Sequence, residues 1–297
     1  MLKKLFFSCL CLFTSIATAE IQPISHIEDI RSSIAQPTDL VLLDIDDTLI
    51  TNPFSLGRAP WRNWAKANLP KYKLPFTLYD ALTLFIAKKA PYQTVEPTTA
   101  DLVLELQDQG IAVFAFTARG RTQWYTTDIK RVDKFTHYQL RKAGIDFKRT
   151  KIPDELQKLE PIYFYKGIIF AQHIKKGDLL KHLFKDLNYK PTAIIFVDDK
   201  LDQVQSVEMA VKEFGIPFYG FWYRTPEADD SKFDYKITNL QLEELILRGS
   251  ILTDEQALQA LEHKSKVNTA VDIKQILDQI DLSHLAPTIS LEEMEKN

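Results

Sequence analysis

The chain has 297 residues, of which 45% are hydrophobic and 26% are charged. This composition is typical of one sizeable globular domain, alone or with a smaller inserted one, and it excludes a disordered chain. The formal net charge of −3 provides no basic footprint for a polyanion, so no nucleic-acid partner is expected.

The first 19 residues have the features of a secretory signal peptide. Lys3 and Lys4 form a basic start, residues 5–16 are largely apolar, and small residues lead to a cleavage site after Ala19. The apolar stretch is shorter than the roughly 20 residues that span a bilayer, which disfavours the alternative of a membrane anchor.

Both cysteines of the chain, Cys9 and Cys11, lie inside this segment. They make a lipoprotein signal a further alternative, although the residues before them fit lipid attachment poorly. Cleavage leaves a mature chain without cysteine, which its core alone must stabilise. We therefore expect an exported bacterial protein, periplasmic or secreted, without membrane attachment after signal cleavage.

Apolar runs without polar alternation predict strands that are covered on both faces of a parallel sheet. They lie at residues 40–45, 111–116, 192–197 and 216–223. Helices are predicted at 98–110 and 202–215, because each segment begins at Thr or Asp and ends at Gly. Strands that alternate with helices predict an α/β fold with a doubly wound parallel sheet.

Residues 52–97 interrupt this alternation with a segment rich in proline and aromatic residues. Two short helices are predicted within it, around WRNWAKANL and YDALTLFIAKKA. We interpret the segment as a small, mainly helical insertion. Its aromatic side chains either line a pocket or form the core of the insertion itself.

The remaining chain divides into a core and a tail. The predicted core comprises residues 20–51 and 98–225, with a hairpin insertion at about 146–172 that turns at a Lys-Gly pair. Residues 226–297 form a predicted helical C-terminal appendage. Its helical segments are expected around 239–248, 253–264 and 270–280.

Three of the predicted strands end in polar residues that suit one site. Asp44, Asp46 and Asp47 follow the first strand, Thr117 ends the second, and Asp198 begins an Asp-Asp pair at the end of another. Ligands of open parallel sheets bind outside the carboxyl ends of the strands. Separate stretches of sequence therefore converge on one rim, where carboxylates can share a divalent cation.

These motifs resemble those of the haloacid dehalogenase (HAD) superfamily of phosphohydrolases. Its first motif, hhhhDxDxT, is similar to VLLDIDDTL, and its second to VFAFT, which ends at Thr117. The third, a lysine at a helix start, is similar to Lys176 in KKGDLLKHL, with Lys175 as the alternative. The fourth is similar to IIFVDDKLD at Asp198. The resemblance covers about residues 38–225 and implies a Rossmannoid core; the whole chain further resembles an uncharacterised exported bacterial subfamily.

The resemblance implies a role for each matched residue. Asp44 would attack the phosphorus atom of the substrate and form an aspartyl-phosphate, which divides one hard hydrolysis into two easier steps. Asp46, two residues on in an extended chain, would protonate the leaving oxygen and then deprotonate the attacking water. The Thr117 hydroxyl and the Lys176 ammonium would bind the remaining phosphoryl charge.

The resemblance also implies a magnesium site. Oxygen atoms of Asp44, Asp198 and the main-chain carbonyl of Asp46 would hold Mg²⁺, a hard cation that prefers oxygen ligands. The cation would lower the repulsion between these carboxylates and an anionic substrate. Asp202, and also Asp199, would fix the motif lysine or complete the outer shell of the metal.

With this resemblance, the sequence predicts an exported, Mg²⁺-dependent phosphatase. The insertion at 52–97 lies where the superfamily places a cap that closes over the substrate, and a cap of this size suggests a small phosphorylated metabolite. One alternative is a catalytically weak protein of the same fold that uses its C-terminal helices as a partner surface. Another is phosphoryl transfer to an acceptor other than water. Arg119 and Arg121 either reach the substrate or lie in a solvated turn, and no oligomeric state is predicted.

Overall fold

The computed structural model describes residues 21–69, 76–122, 131–225 and 233–266. The predicted signal peptide and the helical segment predicted at 270–280 lie outside them. Within the described residues the strands are β1 Gln22–Ile24, β2 Leu40–Leu43, β3 Ile50–Thr51, β4 Gln93–Thr94, β5 Ala112–Thr117, β6 Phe164–Tyr165, β7 Ile168–Phe170, β8 Ile194–Asp198 and β9 Phe218–Tyr223.

A central sheet contains seven of these strands in the order β1-β9-β8-β2-β5-β7-β6. All neighbours in it pair in parallel except β6 and β7, which are antiparallel. The strands β3 and β4 form a small antiparallel pair of their own. The protein thus has an α/β fold with a mostly parallel central sheet, as the alternating pattern predicts.

Helices cover both faces of this sheet. The described α-helices are α1 Ala59–Asn68, α2 Phe76–Lys89, α3 Thr99–Asp108, α4 Val132–Lys142, α5 Lys176–Leu187, α6 Leu201–Glu213, α7 Tyr235–Arg248 and α8 Asp254–Lys266. The side chains of Val41 and Leu43 join an apolar cluster that includes α3. Those of Leu40 and Leu42 join a second cluster that includes α5 and α6. This two-sided burial explains why β2 shows no polar alternation.

The four strands and two helices predicted for the core begin and end within two residues of those observed. The predicted hairpin is present as β6 and β7, and β7 pairs in parallel with β5, so it extends the central sheet. The sequence analysis missed β1, which has only three residues, and the helix α4.

The helices α1 and α2 lie in the predicted cap insertion and share an apolar cluster separate from those of the sheet. Trp61 and Ala65 of α1 pack there with Leu82 of α2. Leu242 and Leu245 of α7 belong to the same cluster. The C-terminal part of the chain therefore completes the core of the cap. None of the described helices is long and apolar enough to span a bilayer.

Candidate active site

The register of the central strands brings three predicted site residues to one edge of the sheet. Leu43, the last residue of β2, lies opposite Ala115 of β5 and Val197 of β8. Asp44 follows directly, and its backbone N–H donates to the carbonyl oxygen of Val197 at 2.9 Å. Thr117 and Asp198 end the two neighbouring strands. All three residues are buried, with at most 5% of each exposed.

Lys176 lies between two of these carboxylates and is itself fully buried. Its Nζ atom is 2.5 Å from Oδ1 of Asp44 and 2.6 Å from Oδ2 of Asp198. The same atom lies 5.4 and 5.3 Å from the ring centres of Phe116 and Phe196, within the range of cation–π attraction. One buried ammonium thus compensates two buried carboxylates.

The pKa values in this cluster follow from burial and pairing. Burial alone would lower the pKa of Lys176, but the ion pairs with Asp198 and Asp44 outweigh it and raise the pKa. Burial raises the pKa of Asp44 above its ordinary value, although the Lys176 ammonium opposes this shift. The lysine is therefore held in its charged form.

The start of α5 places Lys176. Its backbone N–H donates to Oε1 of Gln203 at 3.1 Å, which joins the first turns of α5 and α6. The two helices approach closely at Gly177, where a Cβ atom would lie 2.0 Å from the carbonyl oxygen of Ser206. Of the two candidate lysines, the structure brings Lys176 into the carboxylate cluster, whereas Lys175 is exposed.

Arg119 binds the side chain of Asp46. The sequence leaves two interpretations of this arginine open, contact with the substrate or a place in a solvated turn. Arg119 is 7% exposed, so it does not lie in a solvated turn. Its Nε and Nη2 atoms donate to the two carboxylate oxygens of Asp46 at 2.9 and 2.6 Å. Thr136 and Gln139 of α4 accept from its Nη1 atom. The second arginine of that loop, Arg121, pairs with Asp133 at 3.0 Å.

This bidentate pair determines the charge of Asp46. Burial would raise the pKa of its carboxyl group, but the Arg119 guanidinium outweighs burial and holds the pKa well below its usual range. Asp46 is therefore ionised at neutral pH. Its side chain faces Arg119, and its main-chain carbonyl as a metal ligand stays a prediction.

The residues after β8 complete a group of three carboxylates. One oxygen from each of Asp44, Asp198 and Asp199 lies within 4.8 Å of the other two. The Oδ1 atom of Asp199 is buried and has no donor within the described residues, and burial raises its pKa well above the ordinary value. The backbone N–H of Asp199 donates to Oγ1 of Thr48 at 3.1 Å, which ties this loop to the first motif.

Asp202 does not join this cluster. It is exposed in the first turn of α6, and no hydrogen bond or ion pair connects it with Lys176 in the described part of the chain. The prediction that Asp202 fixes the lysine is therefore wrong. Gln203, one residue on, binds the backbone of Lys176 instead, because the helical turn directs it towards α5.

A cavity of about 160 Å³ lies between the strand ends and the cap. Asp44, Asp46, Thr117 and Arg119 line its floor. Its wall consists mainly of cap side chains. Among them are Trp61, Arg62, Lys66, Tyr79, Ile86 and Tyr92.

The position of this wall depends on α7 and α8. Asp254 accepts from the backbone N–H of Ser55 at 2.9 Å and from its hydroxyl at 2.7 Å. Gln241 accepts from the backbone N–H of Leu56 at 3.0 Å and donates to Asp254 at 2.7 Å. The bonds to Ser55 and Leu56 join residues 199 and 185 positions apart, so no local pattern in the sequence predicts them.

A family model described as "Protein of unknown function (DUF2608)" matches residues 23–258, which is most of the chain. The chain belongs to this family. The match extends over the strand ends, the cap and α7, so the site described above lies wholly within the DUF2608 region.

The relatives of this DUF2608 protein are distant but match over most of their length. A Chlamydia pneumoniae protein named "Putative outer membrane protein" is 23% identical over 264 residues, 87% of this chain and 95% of that protein. An uncharacterised Rickettsia bellii protein is 23% identical, covering 80% and 88% of the two chains. One from Rickettsia prowazekii is 24% identical, covering 88% and 98%. No solved structure matches the chain.

Proposed function

We propose that the protein is an exported, Mg²⁺-dependent phosphomonoester hydrolase of the HAD type, acting on a small phosphorylated metabolite through an aspartyl-phosphate. The observation that supports this most is the position of Lys176 between Asp44 and Asp198, because three separate motifs meet there. A buried lysine with two carboxylates is costly for a protein to keep. Binding of a negatively charged phosphoryl group would explain why the protein keeps this lysine buried.

The residues have the chemistry for two successive displacements. An oxygen of Asp44 forms a bond to phosphorus while the bond to the leaving oxygen breaks. Water then attacks the phosphorus of the aspartyl-phosphate, releases inorganic phosphate and restores Asp44. In both steps the Thr117 hydroxyl and the Lys176 ammonium stabilise negative charge on the phosphoryl oxygens. Asp46 transfers the protons, to the leaving oxygen first and from the water afterwards.

The carboxylates at the strand ends suit a divalent cation. Asp44, Asp198 and Asp199 supply hard oxygen donors, and the buried Oδ1 atom of Asp199 lacks a donor within the described residues. These three residues would hold Mg²⁺. When bound, the metal supplies positive charge that offsets repulsion between the carboxylates and the substrate.

The pair of Arg119 and Asp46 limits the first proton transfer. An ionised Asp46 has no proton to give, so the described state favours substrates whose leaving group departs without one. Alkyl phosphates require Asp46 to be protonated, which weakening of its contact with Arg119 would permit.

We further propose that the protein works in the cell envelope or outside the cell. Residues 1–19 have the pattern of a cleavable signal. The name "Putative outer membrane protein" of three chlamydial relatives agrees with an exported location.

The alternative of a catalytically weak binding protein is less well supported. It would use the C-terminal helices as a partner surface. In α7, however, Leu242 and Leu245 are buried against the cap, and Gln241 is hydrogen-bonded to its entry loop. This face of α7 is therefore packed against other residues of the same chain.

The test is release of p-nitrophenolate from p-nitrophenyl phosphate by purified protein with Mg²⁺. We expect turnover by the natural protein, loss of at least a thousandfold in Asp44→Asn, and loss of activity on chelation. Asp202→Asn is the matched control, because Asp202 is exposed and outside the cluster. Equal rates for Asp44→Asn and the natural protein would refute the proposal. Product analysis with added alcohols distinguishes hydrolysis from phosphoryl transfer to another acceptor.

A further inference from the structure

The cap side of the cavity contains two cations, one of which forms no ion pair within the described residues. Arg62 and Lys66 lie four residues apart on α1 and so lie on one face of that helix. Arg62 pairs with Asp47 at 2.6 Å. Lys66 lines the same cavity and forms no ion pair within the described residues; its ammonium lies 5.5 Å from the ring centre of Tyr79.

Lys66 is separate from Lys200, a second lysine that lines the cavity. Lys200 directly follows Asp198 and Asp199 in the chain, so it lies at the carboxylate end of the cavity. Lys66 is exposed. Partial burial of its side chain and the nearby cations Lys200 and Arg62 lower its pKa, whereas the Asp80 carboxylate raises it. An anion bound beside Lys66 would therefore relieve repulsion among these cations.

A second polar group on the same helix has no partner. The indole N–H of Trp61 is buried and finds no acceptor within the described residues. Trp61 is 1% exposed and lines the cavity with Lys66. An unsatisfied buried donor costs free energy, which an oxygen atom of a ligand would recover. A cation and an N–H donor together match the charge and the acceptors of a carboxylate.

We propose that the substrate is a small phosphorylated acid, whose phosphoryl group binds at Asp44 and Thr117 and whose carboxylate binds at Lys66 and Trp61. This inference rests on the proposed phosphatase function and names its substrate class. A cavity of about 160 Å³ suits a small compound. Three-carbon compounds are therefore suitable probes.

The probes are 3-phosphoglycerate and glycerol 3-phosphate, which differ by a carboxylate in place of a hydroxymethyl group. Their affinities for the Asp44→Asn variant, which does not turn them over, are measured by calorimetry with Mg²⁺ present. We expect the acid to bind at least tenfold more tightly than the alcohol. Lys66→Met should reduce that ratio to near one, and Trp61→Phe should lower it several-fold. Lys89→Met, an exposed lysine of α2 outside the cavity, should leave it unchanged.

Each outcome decides the inference. Equal affinities, no binding of either probe, or an undiminished ratio in a folded Lys66→Met variant would overturn it. Circular dichroism establishes that the variants are folded. Phosphate release by the natural protein is measured separately. A tenfold binding preference without phosphate release would refute the hydrolase and retain the acid-binding site.

Discussion

The floor and the wall of the cavity are built in different ways. The floor consists of residues at the ends of neighbouring parallel strands, and its charges compensate one another: Lys176 pairs with Asp44 and Asp198, and Arg119 with Asp46. The wall consists of cap helices, and there Lys66 has no ion pair within the described chain. The floor, with three carboxylates and two cations, has room in its charge for a further cation beside a phosphoryl group, whereas the wall can select the remainder of a ligand.

The two regions also differ in how they are held in place. Backbone pairing of the central sheet fixes the floor residues through β2, β5 and β8. The wall depends on the apolar cluster shared with α7 and on the hydrogen bonds of Asp254 and Gln241. Variants should therefore affect stability most at the floor and substrate affinity most at the wall.

The largest effect is expected for Lys176→Met. The methionine leaves two buried carboxylates without their cation, and breaking a buried ion pair in this way costs about 3–5 kcal/mol of unfolding free energy. Urea denaturation in the presence of a chelator measures it. The neighbouring exposed lysine provides the control, since Lys175→Met should change stability by less than about 0.5 kcal/mol. Similar stabilities of the two variants would mean that Lys176 does not compensate these carboxylates.

Sequence analysis could predict the floor, because its residues follow apolar runs that are recognisable from the sequence alone. Once Asp44, Thr117 and Asp198 are assigned to strand ends, the parallel sheet brings them together. The role of Arg119 could not be predicted, because its burial depends on Thr136 and Gln139 of α4, a helix that the sequence analysis missed. Asp254 and Ser55 are brought together only by the packing of the tail against the cap.

Asp46→Asn should alter the preference for leaving groups. If Asp46 supplies the first proton, kcat/KM for an alkyl phosphate should fall about a hundredfold or more, which corresponds to about 2.7 kcal/mol. The fall for p-nitrophenyl phosphate should be less than tenfold, because p-nitrophenolate leaves without a proton. The comparison uses kcat/KM, which reports steps up to phosphoryl transfer. Equal losses for both substrates would instead indicate that Asp46 serves only to hold Arg119.

Gly177→Ala tests how the floor lysine is positioned. The added Cβ atom would lie 2.0 Å from the carbonyl oxygen of Ser206, so α5 and α6 must move apart. Overpacking of this kind should cost about 2 kcal/mol of unfolding free energy and should lower kcat through displacement of Lys176. Asp178→Ala, at the next and exposed position of α5, is the control. A Gly177→Ala variant with unchanged stability would show that the helices can separate freely.

The smallest effect on stability is expected at the wall, for Asp254→Ala. The change removes hydrogen bonds to Ser55 and to Gln241, and should cost about 1 kcal/mol because the loop that enters the cap is partly exposed. Since the cap then occupies a wider range of positions over an intact floor, KM should rise several-fold while kcat changes little. Glu255→Ala, at the exposed neighbouring position, is the control. A fall in kcat at constant KM would contradict the division of roles between floor and wall. It would mean that the tail positions the reacting groups as well as the substrate.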